Sequence, residues 1–232
     1  MLPRNLFSII ALGALATLAL PFAFAAKAGG AARRFSGYDR WSARSKSDAA
    51  QWTPELLKQI EWRRFEELCA AYFEALGFRT DIAASAAGGG VDIHLFAQGA
   101  ERPSTLVQCQ PWNAYRVGIK PVRGLLGAMA SANVAEGVLV TSGKFTQEAR
   151  DFARKEKTIT LIDGAELLVK FAALAPEQGA GLLRFATQGD FQTPTCPTCA
   201  LKMIPRKSTT HGRKFWGCRN YPSCKQTFSN TL

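Results

Sequence analysis

Hydrophobic and polar positions divide the chain into segments of three kinds. The run from residue 5 to residue 26 carries no charged side chain, and a helix needs roughly 20 apolar residues to cross a bilayer. Between residues 54 and 77, apolar side chains recur at intervals of three and four, which is typical of a helix with one buried face. Short apolar runs then alternate with helical patterns as far as residue 171. Strands that alternate with helices predict an α/β domain with a mixed or parallel sheet.

Capping residues set the expected ends of these elements. Thr53 and Pro54 provide a hydroxyl cap and a proline at the first helical position, and Gly77 suits the exit of the same helix. A break near Trp62 is an open alternative to one continuous helix. The elements predicted after it are strands at 78–83, within 88–95, and at 106–110, 137–141 and 158–162, with helices at 122–132, from Thr146 to 157, and at 163–171, the last opened by a capping box.

The uncharged run at 5–26 is predicted to be a transmembrane helix. Arg4 stands nearly alone before it, whereas the basic residues that follow are Lys27, Arg33, Arg34, Arg40, Arg44 and Lys46. Because basic residues favour the cytoplasmic side, we expect a single-pass protein of the inner (cytoplasmic) membrane with its C-terminal domains in the cytoplasm. The alternative is a cleaved signal peptide, since Ala23-Phe24-Ala25 fits a small-residue cleavage pattern.

Two segments without hydrophobic periodicity are predicted to be linkers. Residues 27–51 are rich in Gly, Ala, Ser and Arg and form a basic linker, whose charges either contact lipid or only enforce topology. Residues 173–195 contain Pro176, Gly179 and Gly181 and form the second linker. The domains expected on either side of it lie at 52–172 and 196–228.

The formal charge of +11 is distributed unevenly. Residues 51–172 carry 14 basic and 14 acidic side chains, whereas residues 196–232 carry 7 basic side chains and no acidic one. A polyanion such as DNA would therefore be held mainly by the C-terminal segment and by the basic segment near the N-terminus.

Polar side chains are expected to converge where two neighbouring strands meet. Asp92 and His94 share one face of the first strand, and Gln108 and Gln110 share one face of the second, since side chains alternate along a strand. A short loop joins the two strands, which suits antiparallel neighbours. A carboxylate such as Asp92 can bind Mg²⁺, while the partner strand orients a water and a phosphate. His94 has no matched partner in sequence and is more simply a structural residue.

Motifs in this region resemble the Mrr-type (type IV) restriction endonuclease domain. They are Phe65-Glu66-Glu67-Leu68, Leu76-Gly77-Phe78, Gly89-Gly90-Val91-Asp92, Val107-Gln108-Cys109, the segment 117–123, and Gly143-Lys144-Phe145-Thr146. The resemblance covers about residues 54–171 and implies a restriction-endonuclease-like core of the PD-(D/E)xK type. It also implies that Asp92 binds the metal and that Gln108 occupies the (D/E) position. Glu66 is a further candidate ligand, or else a solvated helix residue.

One position departs from the pattern of this family. The polar residue that follows Gln108 is normally a lysine, which stabilises developing charge, and this chain carries Gln110 instead. A neutral amide cannot supply that cation, so Lys120 and Arg116 are candidate replacements from the next loop. The resemblance favours a Mg²⁺-dependent endodeoxyribonuclease. The alternative is a catalytically impaired protein that binds and tethers DNA.

Lysines outside the strands are candidate contacts to DNA phosphate. Lys144 lies in the turn after the strand at 137–141, and ligands commonly bind α/β sheets at the carboxyl ends of strands. Lys120 lies in the segment that resembles the family motif. A plain loop is the alternative for the turn at Lys144.

Four cysteines near the C-terminus have the spacing of a metal site. Cys196 and Cys199 form one pair, and Cys218 and Cys224 form the other. Four thiolates suit a tetrahedral Zn²⁺ and leave no open coordination position, so the zinc is expected to be structural. Two disulfides are the alternative.

The residues around these cysteines resemble the C-terminal zinc ribbon of bacterial type IA topoisomerases. The segments that carry the resemblance are Cys196-Pro197-Thr198-Cys199, residues 212–218 and Asn220-Tyr221-Pro222-Ser223-Cys224. The resemblance implies DNA binding, particularly of single strands. The candidate contacts, cations interleaved with aromatic rings, are Arg213, Lys214, Phe215, Trp216 and Tyr221. The alternative is that some of these rings form the small core of the ribbon.

Overall fold

The computed structural model of the chain describes residues 51–83, 90–110, 116–209 and 212–229. The predicted transmembrane helix at 5–26 lies outside these residues, and so does the basic linker at 27–51 except for its last residue. In the described part of the chain, no helix is both long and apolar enough to cross a membrane.

The first two helices are separated by a sharp break. Helix α1 spans Pro54–Gln59, and its N-cap Thr53 accepts a hydrogen bond from Leu56 N at 3.0 Å. Helix α2 spans Trp62–Ala75, and its N-cap is Glu61, whose carboxylate accepts a bond from Arg63 N at 3.1 Å. The chain is extended at Ile60 and Glu61, the two residues between the helices. The alternative with a break near Trp62 is therefore confirmed.

A mixed five-stranded sheet forms the centre of the main domain. Its strands are β1 (Arg79–Ile82), β2 (Ile93–Phe96), β3 (Thr105–Gln110), β4 (Glu136–Thr141) and β5 (Ile159–Ile162), in the order β1-β2-β3-β4-β5. The pairs β1-β2 and β2-β3 are antiparallel, whereas β3-β4 and β4-β5 are parallel. The predicted mixed sheet and the predicted antiparallel pair are confirmed.

Helices cover both faces of this sheet. The remaining helices of the domain are α3 (Ile119–Ala132), α4 (Gln147–Glu156), α5 (Gly164–Ala172) and α6 (Pro176–Thr187). Val107 and Cys109 point to one face, where they join a buried cluster with residues of α1, α2, α5 and α6. Leu106 and Leu139 point to the other face and join a cluster with residues of α3 and α4. The domain thus has three layers, with α2 lying against the antiparallel half of the sheet.

The expected capping residues begin two of the helices. Thr146 Oγ1 accepts a hydrogen bond from Ala149 N at 3.2 Å at the start of α4. Asp163 and Glu166 form a reciprocal capping box at the start of α5. These side chains satisfy backbone donors that the first helical turn leaves unpaired, which is why the element boundaries follow them closely.

The prediction that residues 173–195 form a linker is wrong for most of that segment. Helix α6 begins at Pro176, a favourable first position, and buries Leu182, Phe185 and Ala186 in the cluster that contains α2. The side chain of Gln178 also donates to Ala75 O at 3.1 Å. Glycines at 179 and 181 are typical of a flexible segment. The apolar residues spaced three and four apart nevertheless supply a buried face.

A second, three-stranded sheet forms the C-terminal ribbon. Its strands β6 (Ile204–Lys207), β7 (Lys214–Gly217) and β8 (Thr227–Ser229) are antiparallel in that order. Thr195 and Lys202, which precede the first strand of the ribbon, are hydrogen-bonded to the start of α2. Trp62 Nε1 donates to Thr195 O at 2.7 Å, and the buried Glu61 carboxylate accepts bonds from Thr195 N at 3.2 Å, Thr195 Oγ1 at 2.9 Å and Lys202 Nζ at 3.1 Å.

Candidate nuclease and zinc sites

Asp92 is held at the start of β2 by the neighbouring strands. Its backbone N–H donates to Val107 O at 3.0 Å, and its backbone carbonyl accepts from Ala83 N at 2.9 Å. Its carboxylate Oδ2 accepts a short hydrogen bond from Cys109 N at 2.6 Å. One carboxylate oxygen is therefore fixed by β3, while the half-buried side chain keeps its second oxygen for another partner.

Glu66 approaches the same place from α2. Its side chain is buried, although it is ionisable, and lies one helical turn after Arg63. The guanidinium Nη1 of Arg63 lies 3.8 Å from Glu66 Oε2, and its Nε lies 3.5 Å from Glu67 Oε1. Because α2 lies across β2 and β3, its inner face brings Glu66 and Arg63 to the Asp92 end of the strands.

Burial and neighbouring charges shift the pKa of both carboxyl groups. Burial raises the pKa of Glu66 to about 8, and the nearby charge of Asp92 contributes to the rise. Burial also raises the pKa of Asp92 to about 6, against the opposing effects of the Cys109 N–H and the Arg63 guanidinium. Two desolvated like charges are unfavourable without a compensating cation. The oxygen donors of this pair fit a hard divalent ion such as Mg²⁺ or Mn²⁺.

The two glutamines of β3 lie on the face opposite to Cys109. Gln108 is buried and pairs with Leu139, so that it shares the face of Leu106, which packs towards α3. Gln110 is half-buried at the carboxyl end of β3, and its carbonyl accepts from Thr141 Oγ1 at 2.7 Å. Within the described residues, the side chain of Gln108 makes no hydrogen bond to Asp92 or Glu66. The structure therefore brings Asp92 and Glu66 together and leaves the roles of the glutamines as predictions.

The candidate phosphate contacts of the main domain are exposed at the start of α3 and in the loop before α4. Lys120 lies in the first turn of α3, and Lys144 lies before α4. The loops that precede these helices are joined, because Val117 N donates to Lys144 O at 2.8 Å and Thr146 N donates to Val117 O at 2.9 Å. Arg116 is also exposed, and residues 111–115 lie outside the described part of the chain. His94 lies within β2, opposite Asp81 of β1.

The four ribbon cysteines form one compact group. Their sulfur atoms all lie within 4.8 Å of one another, and the sulfurs of Cys196 and Cys224 are 3.7 Å apart. Four ligands at the Zn–S distance of about 2.3 Å at tetrahedral corners would be separated by about 3.8 Å. All four are free thiols. The geometry fits Zn²⁺ and disagrees with the alternative of two disulfides.

The aromatic residues of the ribbon divide between its core and its surface. Trp216 packs with Phe228 against the cysteine cluster, so that it belongs to the core that the alternative prediction described. Tyr221 is 60% exposed, and the Arg206 guanidinium lies 5.1 Å from the centre of its ring. Next to them is a cavity of about 480 Å³, whose lining includes Arg206, Lys207, Phe215, Tyr221 and Lys225. Arg213 and Lys214 are exposed nearby.

Comparison with known proteins agrees with this architecture. Residues 57–170 match the family model for the Mrr-type catalytic domain, described as a restriction endonuclease, and residues 193–230 match the topoisomerase DNA-binding C4 zinc finger. The chain therefore contains one segment that matches restriction endonucleases and a following segment that matches a topoisomerase zinc finger. The two resemblances predicted from the sequence are confirmed.

A curated relative supports the first match. The chain is 32% identical over 121 residues to the type IV methyl-directed restriction enzyme EcoKMrr of Escherichia coli K12, an alignment that covers 49% of this chain and 39% of that protein. The chain thus spans about two fifths of the length of this relative.

Two solved structures are similar at lower identity. One is the MspJI restriction endonuclease in complex with a 27-mer oligonucleotide, with 21% identity, a TM-score of 0.42, and coverage of 68% of this chain and 42% of that one. The other is the DNA modification-dependent restriction endonuclease AspBHI, with 18% identity, a TM-score of 0.44, and coverage of 81% and 50%. The fold assignment rests on the sheet order and register above, since both scores are low.

Two features of the site were missed by the sequence reasoning. No sequence signal marks Arg63 as a site residue, because an arginine followed three residues later by a glutamate is common on solvated helix faces. The contacts of Glu61 with Thr195 and Lys202 were missed because they join residues far apart in sequence. The cap position of Glu61 at the start of α2 is the one local signal that marked it.

Proposed function

We propose that the chain is a metal-dependent endodeoxyribonuclease of the Mrr restriction type, which hydrolyses phosphodiester bonds and also holds DNA through its zinc ribbon. The observation that supports it is that the carboxyl groups of Asp92, just before β2, and Glu66, on α2, are both shielded from solvent and near enough for the charge of Asp92 to raise the pKa of Glu66. A fold rarely places two desolvated carboxylates together unless they perform a function, and this pair lies in a domain that matches restriction endonucleases.

The residues of the pair have separable tasks. Asp92 and Glu66 would hold a divalent ion, which supplies an activated water and neutralises charge on the phosphate. The Cys109 N–H fixes Asp92 Oδ2, which would leave the second oxygen for the ion. In hydrolysis, the water oxygen would form a bond to phosphorus as the bond to the leaving deoxyribose oxygen breaks. The attacking water would release one proton to solvent, and the leaving oxygen would take one up. Gln108 and Gln110 would position water or phosphate from β3.

The ribbon would hold the substrate beside this site. Arg213 and Lys214 would contact phosphates, as would Lys120 and Lys144 of the main domain, while Phe215 and Tyr221 would stack on bases. Stacking requires unpaired bases, so we propose that this part of the chain prefers single-stranded DNA. The Zn²⁺ in the cysteine site would be structural, because four thiolates close its coordination shell.

Cleavage of plasmid DNA by Asp92→Ala tests the proposal. With Mg²⁺ or Mn²⁺, the wild type is expected to nick or linearise the plasmid, and the variant to be inactive and to bind Mn²⁺ more weakly. The matched control is Asp81→Ala, an exposed aspartate of the adjacent strand β1, which should keep its activity. Equal activity of wild type and Asp92→Ala would contradict the proposal.

Gln110 favours a second candidate, a DNA-tethering protein that does not cleave. If the absent lysine limits catalysis, Gln110→Lys should raise the cleavage rate, since one pre-organised charge contact is worth about 10²- to 10³-fold. Inactivity of the wild type, Asp92→Ala and Gln110→Lys on all DNA forms, with binding retained, would support tethering. A rate increase in Gln110→Lys would favour a weak nuclease.

We further propose that residues 5–26 anchor the protein in the inner membrane, supported by the uncharged run and by the basic residues that follow it. Fractionation of cells that carry a C-terminally tagged protein tests this part. The full-length protein is expected with the inner membrane, with its tag inaccessible from the periplasm. A soluble periplasmic protein that begins after residue 25 would instead support the signal peptide.

A further inference from the structure

The cation expected at residue 110 is absent, and the structure offers one in another place. We propose that Arg63 is the catalytic cation of this site and contacts the scissile phosphate from α2 in place of the lysine that Gln110 replaces. This inference rests on the proposed nuclease function. The replacements suggested by sequence, Arg116 and Lys120, are exposed residues before and within the first turn of α3.

The position of Arg63 is fixed by the first turn of α2. Its backbone N–H donates to the Glu61 carboxylate at 3.1 Å, and Glu61 is itself buried and bonded to Lys202 and Thr195. The helix then places Arg63 and Glu66 on the same side, because residues three apart are neighbours on a helix surface. Arg63 therefore lies beside the Glu66 carboxylate from a fixed backbone position, and its charge also lowers the pKa of Asp92.

The guanidinium of Arg63 keeps its hydrogen-bond donors for a substrate. Its closest carboxylate contacts, 3.8 Å to Glu66 and 3.5 Å to Glu67, are longer than hydrogen bonds, and its side chain is 33% exposed. Within the described residues, its side chain makes no hydrogen bond. Planar guanidinium donors match two oxygens of a phosphate at once, which is why arginine suits this role.

The neighbouring arginine is bonded elsewhere. Arg64 Nη1 donates to Phe185 O at 2.6 Å, and its guanidinium lies 5.1 Å from the centre of the Phe185 ring. Arg64 is therefore bonded to α6, and its carboxylate contact is Glu67, whose Oε2 lies 3.8 Å from Arg64 Nε, rather than Glu66. It provides a matched control, since it has the same chemistry and lies on the same helix turn.

The experiment compares Arg63→Ala, Arg63→Lys, Arg63→Ala/Gln110→Lys and Arg64→Ala in the full chain. Each is measured for single-turnover cleavage with Mg²⁺, for Mn²⁺ affinity by electron paramagnetic resonance, and for thermal unfolding. Arg63→Ala is expected to slow cleavage by about 10²- to 10³-fold with Mn²⁺ affinity retained or increased, because a positive charge leaves the metal site. Arg63→Lys should keep part of the rate, and the double variant should recover most of it.

Several outcomes would overturn the inference. If Arg63→Ala weakens Mn²⁺ binding and Gln110→Lys restores no activity to it, Arg63 only orients Glu66. If Arg64→Ala remains folded and slows cleavage as much as Arg63→Ala does, the effect is not specific to the site. A wild type without cleavage would count against the nuclease function and not against Arg63. The deciding measurement would then be the affinity for DNA in the presence of Mn²⁺. Arg63→Ala should lower this affinity, and Arg64→Ala should leave it unchanged. Equal affinities of wild type and Arg63→Ala would reject the role of Arg63.

Discussion

At the scale of single residues, the site combines one residue that sequence reveals and others that only the fold can place. Asp92 follows a glycine-rich segment and immediately precedes a short strand, which is a local pattern. For Glu66 the sequence leaves two interpretations, because a glutamate on an amphipathic helix is usually solvated. Its burial depends on how α2 lies across the sheet, and no local pattern encodes that crossing.

The raised pKa of Glu66 predicts how stability depends on pH. The folded protein retains this proton up to about pH 8, whereas the ordinary value for the carboxyl group is 4.5. Since the folded state binds more protons between these values, the stabilisation is fully present below pH 4.5 and is lost as the pH rises through about 8. Glu66→Gln should remove this dependence. Its free energy of unfolding, relative to wild type, should rise by on the order of 2–4 kcal/mol from pH 4.5 to 8.

Urea unfolding without Mg²⁺ or Mn²⁺ measures this difference. The control is Glu67→Gln, which changes a neighbouring half-exposed carboxylate of the same helix and should follow the wild-type curve. Added Mn²⁺ should stabilise the wild type at pH 8 but not Glu66→Gln. Parallel pH curves for wild type and Glu66→Gln would show that Glu66 titrates normally.

At the scale of elements, sequence predicted the sheet well and the segment after it poorly. Strands and caps depend on neighbours in sequence, as the Thr146 cap and the Asp163 capping box show. Helix α6 has glycines in its first half, so the sequence pattern predicts a linker there, although its apolar residues form a buried face. Glycine lowers helix propensity by about 1 kcal/mol, which burial of several large side chains offsets.

The start of α2 is expected to depend on Lys202. Lys202→Met leaves the buried Glu61 carboxylate without its cation, and a buried charge that loses a partner destabilises a protein by about 1–3 kcal/mol. Glu61→Gln in the same background should recover part of this loss, because the uncompensated charge is removed. Urea unfolding measures these differences. Lys207→Met, an exposed lysine of β6, is the control and should change stability by less than about 0.5 kcal/mol. If Lys202→Met is as stable as the wild type, Glu61 needs no cation.

At the scale of the whole molecule, the ribbon and the nuclease domain form a bonded pair. The predicted linker would have separated two independent cores, whereas Thr195, which immediately precedes the proposed zinc ligand Cys196, bonds to Trp62 and Glu61. Sequence could not show this, since a buried threonine and a cap glutamate are ordinary residues until the fold joins them. The cysteine site is therefore connected to the start of α2 by the peptide bond from Cys196 to Thr195 and by the hydrogen bonds of Thr195.

Loss of zinc should therefore loosen the start of α2 as well as the ribbon. In Cys196→Ser, the ribbon loses one of its four metal ligands and is expected to unfold, since so small a sheet depends on its metal. Thr195 is then no longer held in place, and the first turn of α2 loses its partners. Hydrogen exchange followed by mass spectrometry should show amides at 62–66 exchanging at least roughly tenfold faster, equivalent to about 1.4 kcal/mol.

Helix α4 (Gln147–Glu156) is the internal control, because it packs on the opposite face of the sheet, and its amides should exchange as in the wild type. Zinc content and exchange in the ribbon would be measured on the same samples. If the ribbon unfolds while residues 62–66 keep their protection, the contacts at Glu61 and Trp62 do not transmit zinc loss. If α4 loosens equally, the effect is global destabilisation. Only faster exchange at the start of α2, with α4 unchanged, shows that the zinc ribbon supports the helix that carries Arg63 and Glu66.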